Sequence, residues 1–351
     1  MKNFLDKKKR IDLDTIKQED LLKLRICDLP IQIEGTWLQD CIQQLYKELD
    51  GKGINFKPEC YLADEWLTPE NEPVIGIPFY LAHPELTRLE KKMMLEAEGD
   101  TKDGCMKLLR HETGHVLSYA YRLHKKRKWR KIFGSPSQEY GDTYKVRPYS
   151  KSYVRHLEGY YAQFHPDEDF VETCAVWLTP GSEWQKHYAG WKALKKLQYV
   201  DYLIEGIKDK APLVSKGRKL WHYRKLKITL KNFYRRKQLL RAEDFPDFHD
   251  DNLMKIFSLF DETIKGLPTA NELLWKNRRR ILNDIAFWTG EKKYVINDLL
   301  KDIVKRSREL KLVAKDNEQI ILMSLTAYIT TLIMNYLYTG WYRGDKKKRK
   351  K

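Results

Sequence analysis

Cysteine is scarce in this chain, with 5 among 351 residues. Cys27, Cys41, Cys60, Cys105 and Cys174 fall at irregular spacings with no Cys-x-x-Cys pair. That pattern excludes a disulfide framework and a cysteine-held structural zinc, and it implies reduced thiols in a cytoplasm-like compartment. The opening residues, Met1-Lys-Asn-Phe-Leu-Asp-Lys-Lys-Lys-Arg10, lack the apolar stretch of a secretory signal, so a cytoplasmic location is expected. Acidic side chains are outnumbered, 49 against 66 Lys and Arg, leaving a net charge of +17. The excess predicts attraction to polyanions: nucleic acid, anionic membrane or acidic protein. It concentrates at 7–10, 125–131, 216–241, 278–280 and 346–351, runs that serve equally well as solvated faces. Charge is missing altogether from 319 to 342, a stretch long enough to cross a bilayer with a basic flank behind it. Gln319, Ser324, Thr326, Thr330, Thr331 and Asn335 dilute it, so a buried terminal helix fits better than membrane insertion.

What the chain does have is core material: 42% apolar and 12% aromatic residues, enough for two domains at this length. Residues 35–49 carry Trp37, Leu38, Cys41, Ile42, Leu45 and Tyr46 at helical spacing. Short β-prone runs occupy 54–62 and 73–82, and Pro78 argues that the second lies at a sheet edge. Such an edge accepts a peptide as an added strand, which makes Val74, Ile75, Gly76 and Ile77 candidate substrate-binding residues. A helix is expected over 105–123, then a basic, Gly- and Pro-punctuated excursion over 124–150. Beyond 208–216 the sequence reads as helices throughout, at 220–241, 251–265, 271–289, 295–313 and 319–338, with no fixed repeat period. The expected class is α+β, a small mixed sheet with a central helix followed by an all-α region.

The central helix carries His111-Glu112-Thr-Gly-His115. Histidines four apart share one helical face, so both imidazoles reach a single metal ion, while Glu112 stands where it takes a proton from a bound water. Zinc suits that chemistry. A third ligand is offered downstream by His165-Pro-Asp-Glu168-Asp-Phe-Val-Glu172-Thr, where Pro166 and three acids mark the first turn of another helix. Glu168 is assigned to the metal. Glu172, four residues on, then accepts a hydrogen bond from the free ring nitrogen of a liganding histidine; the reverse assignment stays open. Tyr161 is placed to stabilise an oxyanion, with Tyr160 as the alternative.

The pairing of His-Glu-x-x-His with a distal Tyr-x(6)-Glu-x(3)-Glu resembles the gluzincin metallopeptidases. More narrowly, residues 165–173 are similar to the signature of a bacterial group of zinc-binding metallopeptidases, and more distantly the tyrosine-to-glutamate offset resembles that of lethal-factor-type and Pro-Pro endopeptidase-type proteases. The resemblance covers about 31–203. It implies a zincin-like fold and His111, His115 and Glu168 as ligands of one zinc ion. It also implies Glu112 as general base and Tyr161 as oxyanion stabiliser, acting on a peptide or protein substrate. The chain departs from the bacterial group in lacking an N-terminal zinc ribbon and in carrying Asp167 where tryptophan is frequent. The expected organisation is a charged segment at 1–30, a zincin-like metallopeptidase domain at 31–207, a basic helical bundle at 208–343 and a basic tail at 344–351. The rival reading is a cationic nucleic-acid- or membrane-associated binding protein whose zinc site is vestigial or structural, contacting its polyanion through the basic C-terminal region.

Overall fold

The computed structural model describes residues 11–139, 147, 150–239, 249–260 and 266–339. The basic runs at 7–10 and 346–351 lie outside the described residues, as does most of 140–149. The described chain is mostly helical, with a small parallel sheet, an α+β arrangement.

Helix α1, Trp37–Gly51, buries Leu38, Cys41, Ile42 and Leu45 of the expected stripe and Leu49 beyond it, with Trp37 and Tyr46 half-buried against the core. Two strands follow, β1 (Glu59–Ala63) and β2 (Val74–Pro78), paired in parallel from Glu59↔Val74 to Ala63↔Pro78. Their connection does not contain a helix. It folds back so that Leu67 bridges Gly76 in the antiparallel sense, with Gly76 N–H donating to Leu67 O at 2.8 Å and Leu67 N–H to Gly76 O at 3.3 Å. The open edge expected at Val74, Ile75, Gly76 and Ile77 is therefore closed at Gly76 by the chain itself, and all four residues are buried. Glycine is required there: a Cβ would lie 2.7 Å from the Leu67 side chain and 2.9 Å from Ala63 Cβ.

Helix α2, Pro84–Met94, leads to α3, Lys102–Ala120, whose first turn is capped by Thr101 accepting from Gly104 N–H. The stretch after it, expected as an irregular excursion, forms α4 at Arg127–Phe133. Trp129 and Phe133 of α4 pack on Phe170 with ring centroids 5.6 and 5.3 Å away, an anchoring that three scattered aromatics do not announce in sequence. Phe170 belongs to α5, Pro166–Leu178, which lies against α3 along its length; α6, Ala193–Glu205, covers the far side of α5. Helix α7, Leu230–Leu239, closes this first core, which runs from Leu13 to Tyr234. Residues 11–30, read as a charged terminal segment, contribute Leu13, Leu21, Ile26 and Leu29 to it, held partly by Ile26 N–H on Ile228 O. Their aperiodic spacing hid that role.

A second core spans Leu253 to Ile333. It is built by α8 (Asp250–Ile256), α9 (Ala270–Thr289), α10 (Lys293–Glu309) and α11 (Glu318–Thr339). The region is not wholly helical: β3 (Ser258–Leu259) pairs antiparallel with β4 (Leu312–Val313). Lys311, at φ 51°, breaks the helix expected over 295–313 before β4 begins. The two cores meet where Lys293 N–H reaches Glu96 and Tyr294 packs against both. The boundary expected near 208 falls inside the first core. Helix α11 is long and apolar enough over Glu318–Leu337 to cross a membrane by length and composition, and its inner face packs in the second core.

Helices α3 and α5 approach closely at Gly114, where a Cβ would stand 2.9 Å from Val171 Cα. Backbone cannot yield as a side-chain tip does. Gly114→Ala is expected to destabilise the fold by about 1–3 kcal/mol, read as a lowered urea midpoint; an unchanged midpoint would show that the helices are not seated this tightly.

Candidate metal centre

Helix α3 presents His111 and His115 on the face turned toward α5, their rings 5.3 Å apart. Helix α5 begins at a His-Pro step: Pro166 fits the first turn, and His165 caps it by accepting Asp167 N–H at Nδ1, 3.1 Å away. Its other nitrogen contacts Gln138 O at 2.8 Å, which requires Nε2 to carry the proton and fixes the tautomer. With that start fixed, Glu168 lands one turn into α5 with Oε2 at 3.2 Å from His111 Nε2 and 3.4 Å from His115 Nε2.

Ligand atoms of His111, His115 and Glu168 all lie within 4.8 Å of one another, and all three residues are buried. Two imidazoles and a carboxylate match the donor set zinc takes, with room left for a fourth ligand. Glu172 occupies the supporting position. Its Oε1 is 2.8 Å from His111 Nδ1 and its Oε2 accepts Leu157 N–H at 2.9 Å. A carboxylate only accepts, so His111 carries a proton on Nδ1, which makes Nε2 the nitrogen a metal would take. One Glu172 oxygen is thus taken by the back of the His111 ring and the other by Leu157 N–H, and Glu172 is not among the three residues whose ligand atoms converge.

Glu112 is buried beside the cluster, and its Oε2 has no hydrogen-bond partner among the described residues. Burial raises its carboxyl pKa above the ordinary value, although the charges of His111 and His115 work against the shift. For Glu168 the balance reverses: burial pushes upward, but the charge of His115 and the hydrogen bonds of both histidines hold its pKa well below the usual carboxylate range. Burial disfavours charge on His111 and His115 too, yet Glu168 raises both, with Glu172 helping at His111. An orphaned carboxylate oxygen next to two imidazoles and a shared carboxylate is a site that a divalent cation fits.

Tyr161 and Tyr160 separate cleanly. The Tyr161 ring lies 5.6 Å from the His111 ring, whereas Tyr160, at φ 58°, sits under the Arg155 guanidinium at 5.5 Å. Several neighbours escaped the sequence reading. Tyr119 stacks on His115 at 6.1 Å, and its place four residues after that histidine was an available helical signal. Thr68, on the connection from β1 to β2, brings Oγ1 to 3.3 Å from Glu112 O. Lys196 of α6 pairs with buried Asp169 at 2.6 Å, and Arg110 grips Glu48 of α1 with two bonds of 2.8 Å. These pairs tie α5 and α3 to their neighbours, and no local pattern marks them. Val74, Ile75, Gly76 and Ile77 supply the sheet behind α3 and present no free edge at Gly76.

Residues 82–189 match the protein family described as “Putative zinc-binding metallo-peptidase”, a span that contains every residue of the cluster. No curated protein and no solved structure matches the chain.

Removing the Glu172 carboxylate leaves His111 Nδ1 and Leu157 N–H without their acceptor. Glu172→Ala is expected to weaken zinc binding by about 10- to 100-fold, measured by chelator competition, while Glu168→Ala removes stoichiometric binding. Equal affinities for wild type and Glu172→Ala would show that this carboxylate does not orient the ligand.

Proposed function

We propose that this protein is a zinc-dependent peptidase of the gluzincin type with a zincin-like catalytic unit. The observation that carries the reading is the buried His111–His115–Glu168 cluster with the unpartnered Glu112 oxygen beside it. The family match over 82–189 supports it independently. His111, His115 and Glu168 would hold one zinc ion, and the ion, when bound, supplies Lewis acidity that lowers the pKa of water and polarises a carbonyl.

The chain's own groups do the rest. Glu112 takes the proton of the attacking water and returns it to the leaving amine. Tyr161 donates its phenol proton in a hydrogen bond to the developing oxyanion. Glu172 and Leu157 N–H keep the His111 ring from turning. Substrate pairs with the 64–73 connection in place of β2. Leu67 and Gly76 exchange both of their bonds, so in antiparallel alternation Trp66 and Thr68 direct their backbone groups outward, beside Glu112.

Glu112→Gln keeps shape and removes the base. It is expected to abolish peptide hydrolysis while retaining stoichiometric zinc, checked by metal analysis beside a peptide-library assay. Normal turnover in this variant, or no zinc in the wild type, would overturn the mechanism. Tyr161→Phe is expected to lower kcat by about 10²- to 10³-fold with little change in KM, and a pure KM effect in steady-state kinetics would instead make Tyr161 a substrate-binding residue.

A further inference from the structure

No acidic residue occurs between Asp209 and Glu243, whereas lysine and arginine recur throughout. The described part of that stretch, to Leu239, packs on the metal-bearing first core. Leu213 and Val214 N–H bond to Ala120 O at the end of α3, Arg218 pairs with Glu72, and Ile26 and Leu230 N–H join 22–31 to 226–230. Apolar side chains of the segment face inward, with Tyr223, Leu230 and Tyr234 buried and Leu226, Ile228 and Phe233 against the core. Along α7 these inward positions recur at 230, 233, 234 and 237, which leaves Lys231, Arg235 and Arg236 on the outer face. Lys216, Arg224, Lys225, Lys227, Lys231 and Arg235 are all exposed, and none forms an ion pair with a carboxylate among the described residues.

One large aromatic breaks the pattern. Trp221 is 55% exposed in the middle of this cationic run. Its neighbours are pinned: Leu220 O accepts from Tyr61 OH at 2.8 Å, and His222 stacks on the Tyr61 ring at 5.8 Å and 6° while bridging Ala63. Trp221 itself has φ 49°, a backbone conformation that costs a non-glycine residue energy. The fold thus holds both flanks and projects the indole outward from a strained apex.

We infer that this face, carried by the first core, binds single-stranded nucleic acid. The cations meet successive phosphates and Trp221 stacks on a base. The inference does not rest on the peptidase reading. A membrane surface is the less suitable partner, because among the described residues of the segment the large exposed apolar side chains are Leu213 and Trp221, which stand apart and make no stripe to enter lipid.

The test uses the full chain with its lysine-rich tail intact. Fluorescence anisotropy with a 20-nucleotide oligothymidylate is followed from low to moderate salt, beside flotation with phosphatidylglycerol–phosphatidylcholine vesicles. The expected result is salt-dependent oligonucleotide binding. Neutralising Lys225, Lys227, Lys231 and Arg235 together to Gln should reduce the log–log salt slope by about 3. Trp221→Ala should weaken binding by about tenfold or more, with the slope unchanged. Thermal melts of both variants matching wild type would confirm that exposed residues alone were altered; should the quadruple variant fail to fold, Trp221→Ala and the pair Lys225→Gln/Lys227→Gln still decide. Binding that survives the charge variants in full, indifference to Trp221→Ala, or capture by vesicles without oligonucleotide binding would each overturn the inference.

Discussion

Glu112, Glu168 and Glu172 bring three carboxylates into a core where none is more than 6% exposed, alongside two buried imidazoles. An ionised carboxylate taken out of water costs several kcal/mol unless something restores what water supplied. The restoration is graded here. Glu172 has Leu157 N–H and His111 Nδ1, Glu168 sits between two imidazole nitrogens, and the Glu112 Oε2 has nothing among the described residues. Apolar burial elsewhere must carry that charge, and a divalent cation at the three ligand atoms relieves most of it at once. A metal held there would for this reason also stabilise the α3–α5 pair.

The scaffold around the cluster answers to the same need for fixed positions. Gly114 lets the α3 and α5 backbones meet, so imidazoles on one helix reach a carboxylate on the other without extended side chains. Arg110 with Glu48 and Lys196 with Asp169 then lock each helix to its outer neighbour through buried ion pairs. Such pairs contribute little net stability against apolar replacements, but breaking one strands a buried charge, so they discriminate strongly against sliding of one helix on another. Two His-Pro steps, His83-Pro84 and His165-Pro166, start α2 and α5 in the same way, with an imidazole in place of the usual hydroxyl or carboxylate cap. At α5 the capping histidine is also tied to Gln138, so the first turn that carries Glu168 is held from both sides.

The parts legible in sequence were those whose geometry is local. His111, Glu112 and His115 follow from helical spacing alone, and Glu168 with Glu172 from a proline-led acidic turn with four-residue spacing. Tyr161 was preferred to Tyr160 only on its seven-residue offset from Glu168, and the left-handed backbone that carries Tyr160 to Arg155 leaves no mark in sequence. The backing of β2 was missed for a related reason: one Leu67–Gly76 bridge inside a connection full of turn-forming residues leaves no alternation to read. Residues 11–30 and 220–234 show the same limit. The two segments join across two hundred positions, as in the Ile26 N–H bond to Ile228 O, whereas taken alone the first looks charged and frayed and the second reads as one helix over 220–241.

Helix α11 illustrates where length and apolarity stop being informative. Ile321, Leu325, Ile329 and Ile333 form its inner row at four-residue spacing and are essentially inaccessible, while Gln319, Met323, Ala327, Thr331 and Asn335 face outward. Glu318 at its start binds Lys276 and Asn277 of α9, and Tyr328 meets His249 beside α8. Each fully buried aliphatic of this kind contributes about 1.5–3 kcal/mol, so withdrawing the row would cost on the order of 10 kcal/mol and bare the matching faces of α9 and α10. That is comparable to the whole stability of a domain. Any surface that extracts this helix has to replace a core.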